Sequence, residues 1–214
     1  MFTRFRAEAG AADAIAESVA KMRVTARLDA AVVVIDLDNT LVRLEVDWGR
    51  MRDELARLAR DAGLEVADPR IGALMQGAPG PGSDALRQAM EQALTEAEVA
   101  GAGGPRNEAL VDWLDGPAAG TPISILSLNS RVAVACALEL SALDRRVSHI
   151  VGREDVEHGK PDPEGMHLLA QWHGIAVERM LFIGDADSDR LCAERADARF
   201  MHVDEIGRRW TPGA

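Results

Sequence analysis

The chain has 214 residues, of which 47% are hydrophobic, and it carries a formal net charge of −11. This length and apolar content suffice for one substantial hydrophobic core. The acidic excess argues against nonspecific nucleic-acid binding and against binding to an anionic membrane, because both need a basic face. No apolar stretch approaches the length of a membrane-spanning helix, and the first ten residues lack the apolar core of a signal peptide. We therefore expect a cytoplasmic protein.

The N-terminal part of the chain leads into a strand that ends in two acids. Residues 1–28 are rich in alanine and carry one modest apolar stripe, which predicts an N-terminal helical extension. Residues 31–35 are apolar and rich in β-branched side chains, which predicts a buried strand. Asp36 and Asp38 follow directly. Because a charge at the end of a buried strand needs pairing or a metal, these two acids are candidate functional residues.

A long helical region separates this strand from the next one. Apolar residues at steps of three and four predict helices over about 47–62, 69–76, 83–100 and 106–115. Such a region is far longer than a simple connection between a strand and a helix requires. We interpret residues 46–117 as an inserted helical module, which glycine- and proline-rich stretches leave movable in the manner of a lid. Residues 29–45 and 118–214 then form the core domain.

From residue 118 onward, predicted strands alternate with predicted helices. The strands fall at 122–128, 147–151, 180–184 and 198–203, and the helices fall at 130–143, 163–174 and 188–196. This alternation predicts an α/β fold with a parallel sheet and helices on both of its faces.

Polar side chains follow several of these strands. Ser127, Lys160, Asp185 and Asp189 stand just beyond strands or beside a helix start, as Asp36 does. Because the carboxyl ends of parallel strands emerge at one edge, we expect these groups to share one pocket. Carboxylates that crowd a pocket repel one another, and a hard cation with oxygen ligands, Mg²⁺ above all, would neutralise them.

This donor set predicts phosphate chemistry. Lys160 and the Ser127 hydroxyl could bind the same phosphate, and Asp36 could attack its phosphorus to form an aspartyl-phosphate. Asp38 could then protonate the leaving oxygen and later activate water. The simpler alternatives are turn or cap residues for the two acids, a strand-end hydroxyl for Ser127 and a solvated loop lysine for Lys160. Asp189 could equally be an acid favoured in the first turn of a helix.

Four segments carry a family resemblance. Asp36-Leu-Asp38-Asn-Thr40-Leu, Ser127 after a strand, Lys160-Pro161 and Gly184-Asp185-X-X-X-Asp189 resemble the four motifs of the haloacid dehalogenase superfamily, in order. The resemblance covers residues 31–203. The position of the helical insert is similar to that of the cap in the phosphoglycolate phosphatase-like branch.

The resemblance implies a Rossmann-like parallel sheet of strand order 5-4-1-2-3 with an inserted all-helical cap. It also implies roles for individual residues. Asp36 and Asp38 would be the catalytic pair, and the metal set would be Asp36, Asp38 through its backbone carbonyl, Asp185 and Asp189. The phosphate-binding set would be Thr40, which steadies the acidic loop, with Ser127, Asn129 and Lys160.

The sequence departs from the family pattern at two places. Asn39 replaces a commoner glycine, and Leu128 follows Ser127 where asparagine is frequent, so that Asn129 could take that role. Arg131 is a candidate substrate ligand, although a surface ion pair is the simpler expectation. We expect Trp48 to belong to the core of the insert.

The function predicted from these residues is that of a Mg²⁺-dependent phosphatase acting on a small-molecule phosphate monoester such as phosphoglycolate. The second acid, Asp38, favours phosphate chemistry over dehalogenation because a leaving halide needs no proton. The alternatives are a phosphomutase or phosphotransferase of the same fold and a non-catalytic binding or regulatory module. We expect a small phosphate ester as partner, no nucleic acid, no membrane, and a monomer or homodimer.

Overall fold

The computed structural model describes residues 29–68, 70–76 and 83–207, and these fold around a five-stranded parallel sheet. The strands are β1 (Val32–Ile35), β2 (Ile123–Leu126), β3 (Val147–Val151), β4 (Met180–Gly184) and β5 (Arg199–His202). Their spatial order is β3-β2-β1-β4-β5, and every neighbouring pair is parallel. This confirms the predicted α/β fold and strand order. The predicted N-terminal helical extension, residues 1–28, lies outside the described residues.

Strand β1 lies at the centre of the sheet and is buried on both faces. Val33 and Ile35 belong to the hydrophobic cluster on one face, and Val32 and Val34 belong to the cluster on the other. The strand is therefore apolar at every position, as expected for a central parallel strand covered on both sides.

The helices that follow β2 lie close to where the sequence predicts them. They are α5 (Arg131–Leu140), α6 (Glu164–His173) and α7 (Asp187–Arg195). Helix α5 ends three residues earlier than predicted, because Ser141 closes it and Ala142 takes a left-handed φ of 56°. Helix α6 begins at Glu164, whose backbone N–H donates to Asp162 Oδ1 at 3.0 Å.

Four helices lie between β1 and β2 in the described ranges 36–68, 70–76 and 83–122. They are α1 (Trp48–Asp61), α2 (Ile71–Gln76), α3 (Ser83–Ala100) and α4 (Glu108–Asp115). The first three share a separate small core of buried apolar side chains, namely Leu55, Ala56, Ala59, Leu74 and Met90. Helix α4 differs, because its Leu110 and Leu114 pack in the same cluster as β1.

The segments that lead into α1 and out of α3 run antiparallel to each other. The N–H of Arg43 donates to Pro105 O at 2.9 Å, and the N–H of Glu45 donates to Gly101 O at 2.8 Å. The approach is close enough to require glycine, since a Cβ at Gly104 would lie 1.9 Å from Arg43 O. Helices α1 to α3 are thus joined to the sheet by two connecting segments that hydrogen-bond to each other.

Within the described ranges, no helix has both the length and the apolar character needed to cross a membrane.

Candidate active site

Three carboxylates meet at the carboxyl edge of the sheet. Asp36 follows β1 and Asp185 follows β4, and these strands are neighbours with Ile35 opposite Ile183. Asp189 lies in the first turn of α7, where its Oδ2 accepts a hydrogen bond from Ala186 N at 3.1 Å. One oxygen atom from each of the three carboxylates lies within 4.8 Å of the others. Parallel strand order therefore brings together acids that are up to 153 residues apart.

Lys160 reaches this cluster from the loop before α6. Its Nζ lies 2.6 Å from Asp36 Oδ1 and 2.6 Å from Asp189 Oδ1, and its side chain is only 4% exposed. The ammonium also lies 5.5 Å from the centroid of the Phe182 ring, which packs beneath it in β4. Lys160 is therefore a buried charge in contact with two carboxylates, in contrast to the solvated lysine that was the simpler alternative.

Burial and mutual repulsion shift the pKa values of these groups. Burial, reinforced by Asp189 and opposed by Lys160, raises the pKa of Asp36 to about 7. Burial and the charge of Asp189 likewise raise the pKa of Asp185. Burial disfavours the Lys160 ammonium, but the charges of Asp36 and Asp189 outweigh it and raise its pKa above the usual value. One ammonium shared among three carboxylates leaves excess negative charge.

The cluster provides a donor set that fits a hard divalent cation. It offers carboxylate oxygens from three residues, and such ions prefer oxygen ligands. Asp189 Oδ1 is buried and has no hydrogen-bond partner of good geometry, although it touches Lys160 Nζ. A buried oxygen of this kind is available to a metal. The residues present therefore fit Mg²⁺.

The Asp38 carboxylate is turned to different partners. Its Oδ1 accepts a hydrogen bond from Leu44 N at 2.8 Å, and the nearby Trp48 side chain also lowers its pKa. Burial raises the pKa of Asp38 in spite of these interactions. The three-carboxylate cluster does not include Asp38. Trp48, which the sequence suggested as core of the insert, packs partly buried against the core of the sheet and contacts this acid.

Thr40 is fully buried behind the acids. Its Oγ1 lies 3.4 Å from Asp36 Oδ2 and 3.3 Å from Asp185 Oδ1. The turn that places it there includes Asn39, which has a left-handed φ of 62°. Asparagine tolerates this conformation better than most residues, so it can stand where the family pattern more often has glycine.

Ser127 and Asn129 are joined to each other beyond the end of β2. Ser127 Oγ donates to Asn129 Oδ1 at 2.8 Å, and Asn129 N donates to Ser127 Oγ at 3.2 Å. Both residues are buried. Arg131 forms an ion pair with Asp155 and is half exposed, in agreement with the simpler expectation for it.

Sequence reasoning missed Glu98 and Arg153. Glu98 of α3 accepts a hydrogen bond from Asn129 Nδ2 at 3.1 Å and pairs with Arg153 at 2.8 Å. A signal for Glu98 does exist, because it lies four residues beyond Leu94 and eight beyond Met90, on the buried side of the helix. An acid at such a position needs a buried partner.

Comparisons with known proteins agree with this fold. Residues 108–203 match the family described as haloacid dehalogenase-like hydrolase. Phosphoglycolate phosphatase of Escherichia coli K12 is 34% identical over 79 residues, which are 37% of this chain and 31% of that enzyme. Pyrophosphatase PpaX of Oceanobacillus iheyensis is 32% identical over 81 residues, which are 38% of each chain. The matched segments thus span about a third of the length of these curated relatives.

A solved structure extends the likeness to most of the fold. A haloacid dehalogenase-like hydrolase from Bacteroides fragilis superposes with a TM-score of 0.60 at 21% identity, covering 80% of this chain and 86% of that one. The fold is a Rossmann-like parallel α/β sheet, in which ligands bind at the carboxyl edge of the strands. Residues 108–203 are thus similar to haloacid dehalogenase-like hydrolases, and the fold over most of the chain is similar to that of one such protein.

Proposed function

We propose that this chain is a Mg²⁺-dependent phosphatase that hydrolyses small-molecule phosphate monoesters through an aspartyl-phosphate at Asp36. The observation that carries the proposal is the buried contact of Lys160 Nζ with both Asp36 and Asp189, beside Asp185. This arrangement combines a nucleophile, a fixed positive charge and a cation-binding acid cluster. These are the components that phosphoryl transfer needs, because its catalysis consists mainly of positioning and charge stabilisation.

Asp36 would perform the first covalent step. Its free carboxylate oxygen attacks the substrate phosphorus, the ester P–O bond breaks, and the alcohol oxygen leaves with the electron pair. Attack requires the ionised form of Asp36, and Lys160 favours that form. Asp36, Asp185 and Asp189, with the backbone carbonyl of Asp38, would hold the metal. Bound Mg²⁺ supplies positive charge to the transferring phosphoryl group.

Asp38 would move the protons. Burial raises its pKa, which suits a carboxyl group that gives a proton to the leaving oxygen at neutral pH. In the second step Asp38 takes a proton from water, the water oxygen attacks phosphorus, and the bond to Asp36 breaks to release inorganic phosphate. Ser127, Asn129 and Lys160 would bind the phosphate oxygens, and Thr40 would orient the two acids that it touches.

Helices α1 to α3 would form the cap over this site. Two observations support this division. These helices have a separate apolar core, and the segments that join them to the sheet are paired by backbone hydrogen bonds from Arg43 to Pro105 and from Glu45 to Gly101. The cap would be part of the insert at 46–117. Helix α4, which is in the same insert, would attach the cap to the core domain formed by residues 29–45 and 118–214. A cap in this position excludes bulk water and determines which ester enters. The curated relatives make phosphoglycolate and inorganic pyrophosphate the first substrates to try.

The test is steady-state hydrolysis of p-nitrophenyl phosphate and of those two compounds, in MgCl₂ or in EDTA. We expect turnover with MgCl₂, none in EDTA, and at least a thousandfold lower kcat in Asp36→Asn. Asp187→Asn is the matched control, because Asp187 lies near the site in sequence but its side chain is 88% exposed. Turnover that survives in Asp36→Asn would refute the proposed nucleophile.

Two alternatives give different results in the same assay. A phosphotransferase would yield a phosphorylated acceptor when a second alcohol is added, with less inorganic phosphate than product alcohol. A non-catalytic module would bind phosphate with Mg²⁺ and hydrolyse none of the substrates.

A further inference from the structure

Glu98 is a buried acid that links α3 to the loop after β2. Its side chain is 1% exposed. One carboxylate oxygen, Oε1, accepts from Asn129 Nδ2 at 3.1 Å, and the other, Oε2, accepts from the backbone N–H of Ser130 at 2.9 Å. A residue of the helical region between β1 and β2 therefore contacts the segment 127–130, which we call the phosphate loop.

Arg153 neutralises this buried acid and extends the link. Its Nη1 donates to Glu98 Oε1 at 2.8 Å and to Leu128 O at 3.1 Å, and its Nη2 donates to Thr95 Oγ1 at 3.0 Å. Arg153 stands just after β3. The pair thus connects three separate parts of the chain, namely α3, the phosphate loop and the segment that follows β3.

The hydrogen bonds fix which way the Asn129 amide faces. Glu98 carries no proton to donate when ionised, so it must face the NH₂ group of Asn129. The amide oxygen of Asn129 then faces Ser127, whose hydroxyl donates to it at 2.8 Å. Without Glu98 the amide could rotate by half a turn and present its NH₂ group to Ser127 instead. Glu98 therefore fixes the orientation of the Asn129 amide and takes one of its two N–H groups, which leaves the other to donate to a phosphate oxygen. The Ser127 hydroxyl would turn from Asn129 to donate to a bound phosphate.

We propose that Glu98, held by Arg153, is a positioning residue for phosphate binding: it orients the Asn129 amide and ties the phosphate loop to α3. This inference rests on the proposed function, because it assigns phosphate binding to that loop. A salt bridge buried this deeply gains little stability over apolar residues of the same shape, so stability alone accounts poorly for it. Its geometry is explained by the need to hold the Asn129 amide in one orientation.

The test measures phosphate binding directly, as well as turnover. The dissociation constant of inorganic phosphate is measured by calorimetry in MgCl₂, and kcat and KM are measured with the best substrate. Glu98→Gln keeps the shape of the side chain but replaces one acceptor oxygen by a donor. We expect phosphate affinity to fall roughly tenfold and KM to rise in parallel, with a smaller change in kcat. Glu91→Gln is the matched control, since it makes the same change on an exposed face of α3 and should alter none of these values.

A double-mutant cycle tests whether Glu98 affects phosphate binding through Asn129. Asn129→Ala removes the group through which Glu98 acts, so adding Glu98→Gln to it should weaken phosphate binding by less than about twofold. A full tenfold further loss of phosphate affinity in the Asn129→Ala variant would show that Glu98 does not act through Asn129. If Glu98→Gln does not fold, Arg153→Lys replaces it: this change keeps the charge but loses the forked contacts to Leu128 and Thr95, and we expect a loss of about threefold.

Failure of this inference differs from failure of the proposed function. Phosphate binding by the wild type with unchanged affinity in Glu98→Gln or in Arg153→Lys overturns the positioning role alone. A wild type that neither binds phosphate nor hydrolyses any ester overturns the proposed function, and this inference with it. A lower melting temperature in Glu98→Gln with unchanged phosphate affinity would assign Glu98 a purely structural role.

Discussion

Removal of the Lys160 charge should destabilise the metal-free protein strongly. In Lys160→Met the side chain keeps most of its apolar length, but the ammonium that contacts Asp36 and Asp189 at 2.6 Å is lost. Each contact corresponds to about 6 kcal/mol of Coulomb attraction at an effective dielectric of 20. Desolvation of the buried ammonium offsets much of this attraction, and breaking a buried ion pair typically costs about 3–5 kcal/mol. We expect a loss of stability of that size.

The assay is thermal unfolding at pH 7 in EDTA. A loss of about 3–5 kcal/mol corresponds to a melting temperature lower by roughly 6–20 °C for a chain of this size. The difference should shrink at pH 5, because buried carboxylates whose pKa values are raised can then become neutral. It should also shrink in MgCl₂, since a cation bound in the cluster would neutralise the carboxylates that lose their ammonium partner in the variant and so stabilise the variant more than the wild type.

The control for this experiment is Arg87→Met. Arg87 pairs with Asp84 on the surface of α3, with both side chains more than half exposed, so its loss should cost less than about 1 kcal/mol. A melting temperature of Lys160→Met within about 2 °C of the wild type at pH 7 in EDTA would contradict this prediction. It would mean that the ammonium is not balancing the acid cluster.

Two further predictions concern the acid cluster and the connection to the helices. Because the folded state raises the pKa of Asp36 to about 7, the protonated form stabilises the fold at low pH, and this contribution is lost as the pH rises from about 4 through 7. In EDTA the melting temperature of Asp36→Asn should therefore rise relative to that of the wild type over this pH range. Parallel curves of melting temperature against pH for the two proteins would contradict the raised pKa of Asp36. Gly104→Ala should lower stability by about 2–4 kcal/mol, because its Cβ would collide with Arg43 O. Gly72→Ala in α2, where a Cβ meets nothing within 4 Å, should leave stability unchanged or raise it slightly, and equal losses in both variants would exclude the collision as the cause.

The strands of the fold could be predicted because their sequences are locally unambiguous. Val32–Ile35 and Met180–Gly184 are short apolar runs that stop at acids, so each strand and its polar end could be read together. The order of the strands in the sheet could not be predicted from local sequence in this way. It depended on the family resemblance, since alternating strands and helices fix a parallel sheet without fixing which strands are neighbours.

The candidate site was predictable where its residues follow strands. Asp36, Asp185 and Lys160 come together because parallel strand ends share an edge, which is a consequence of topology. The direction of the Asp38 carboxylate was not predictable, because it depends on a backbone N–H six residues away and on the Trp48 indole. Glu98 was missed for a similar reason, since its partner Arg153 is 55 residues away.

The proposed covalent phosphoryl intermediate at Asp36 can be tested most directly by chemical trapping. Wild-type protein is mixed with the best substrate and MgCl₂, quenched in acid within the first turnovers and reduced with borohydride, which converts an acyl phosphate to the alcohol. Peptide mass spectrometry then locates the reduced side chain. We predict that Asp36 is converted to homoserine in the wild type only when substrate and MgCl₂ are both present. Reduction at another acid, or steady hydrolysis with no reduced residue, would contradict it.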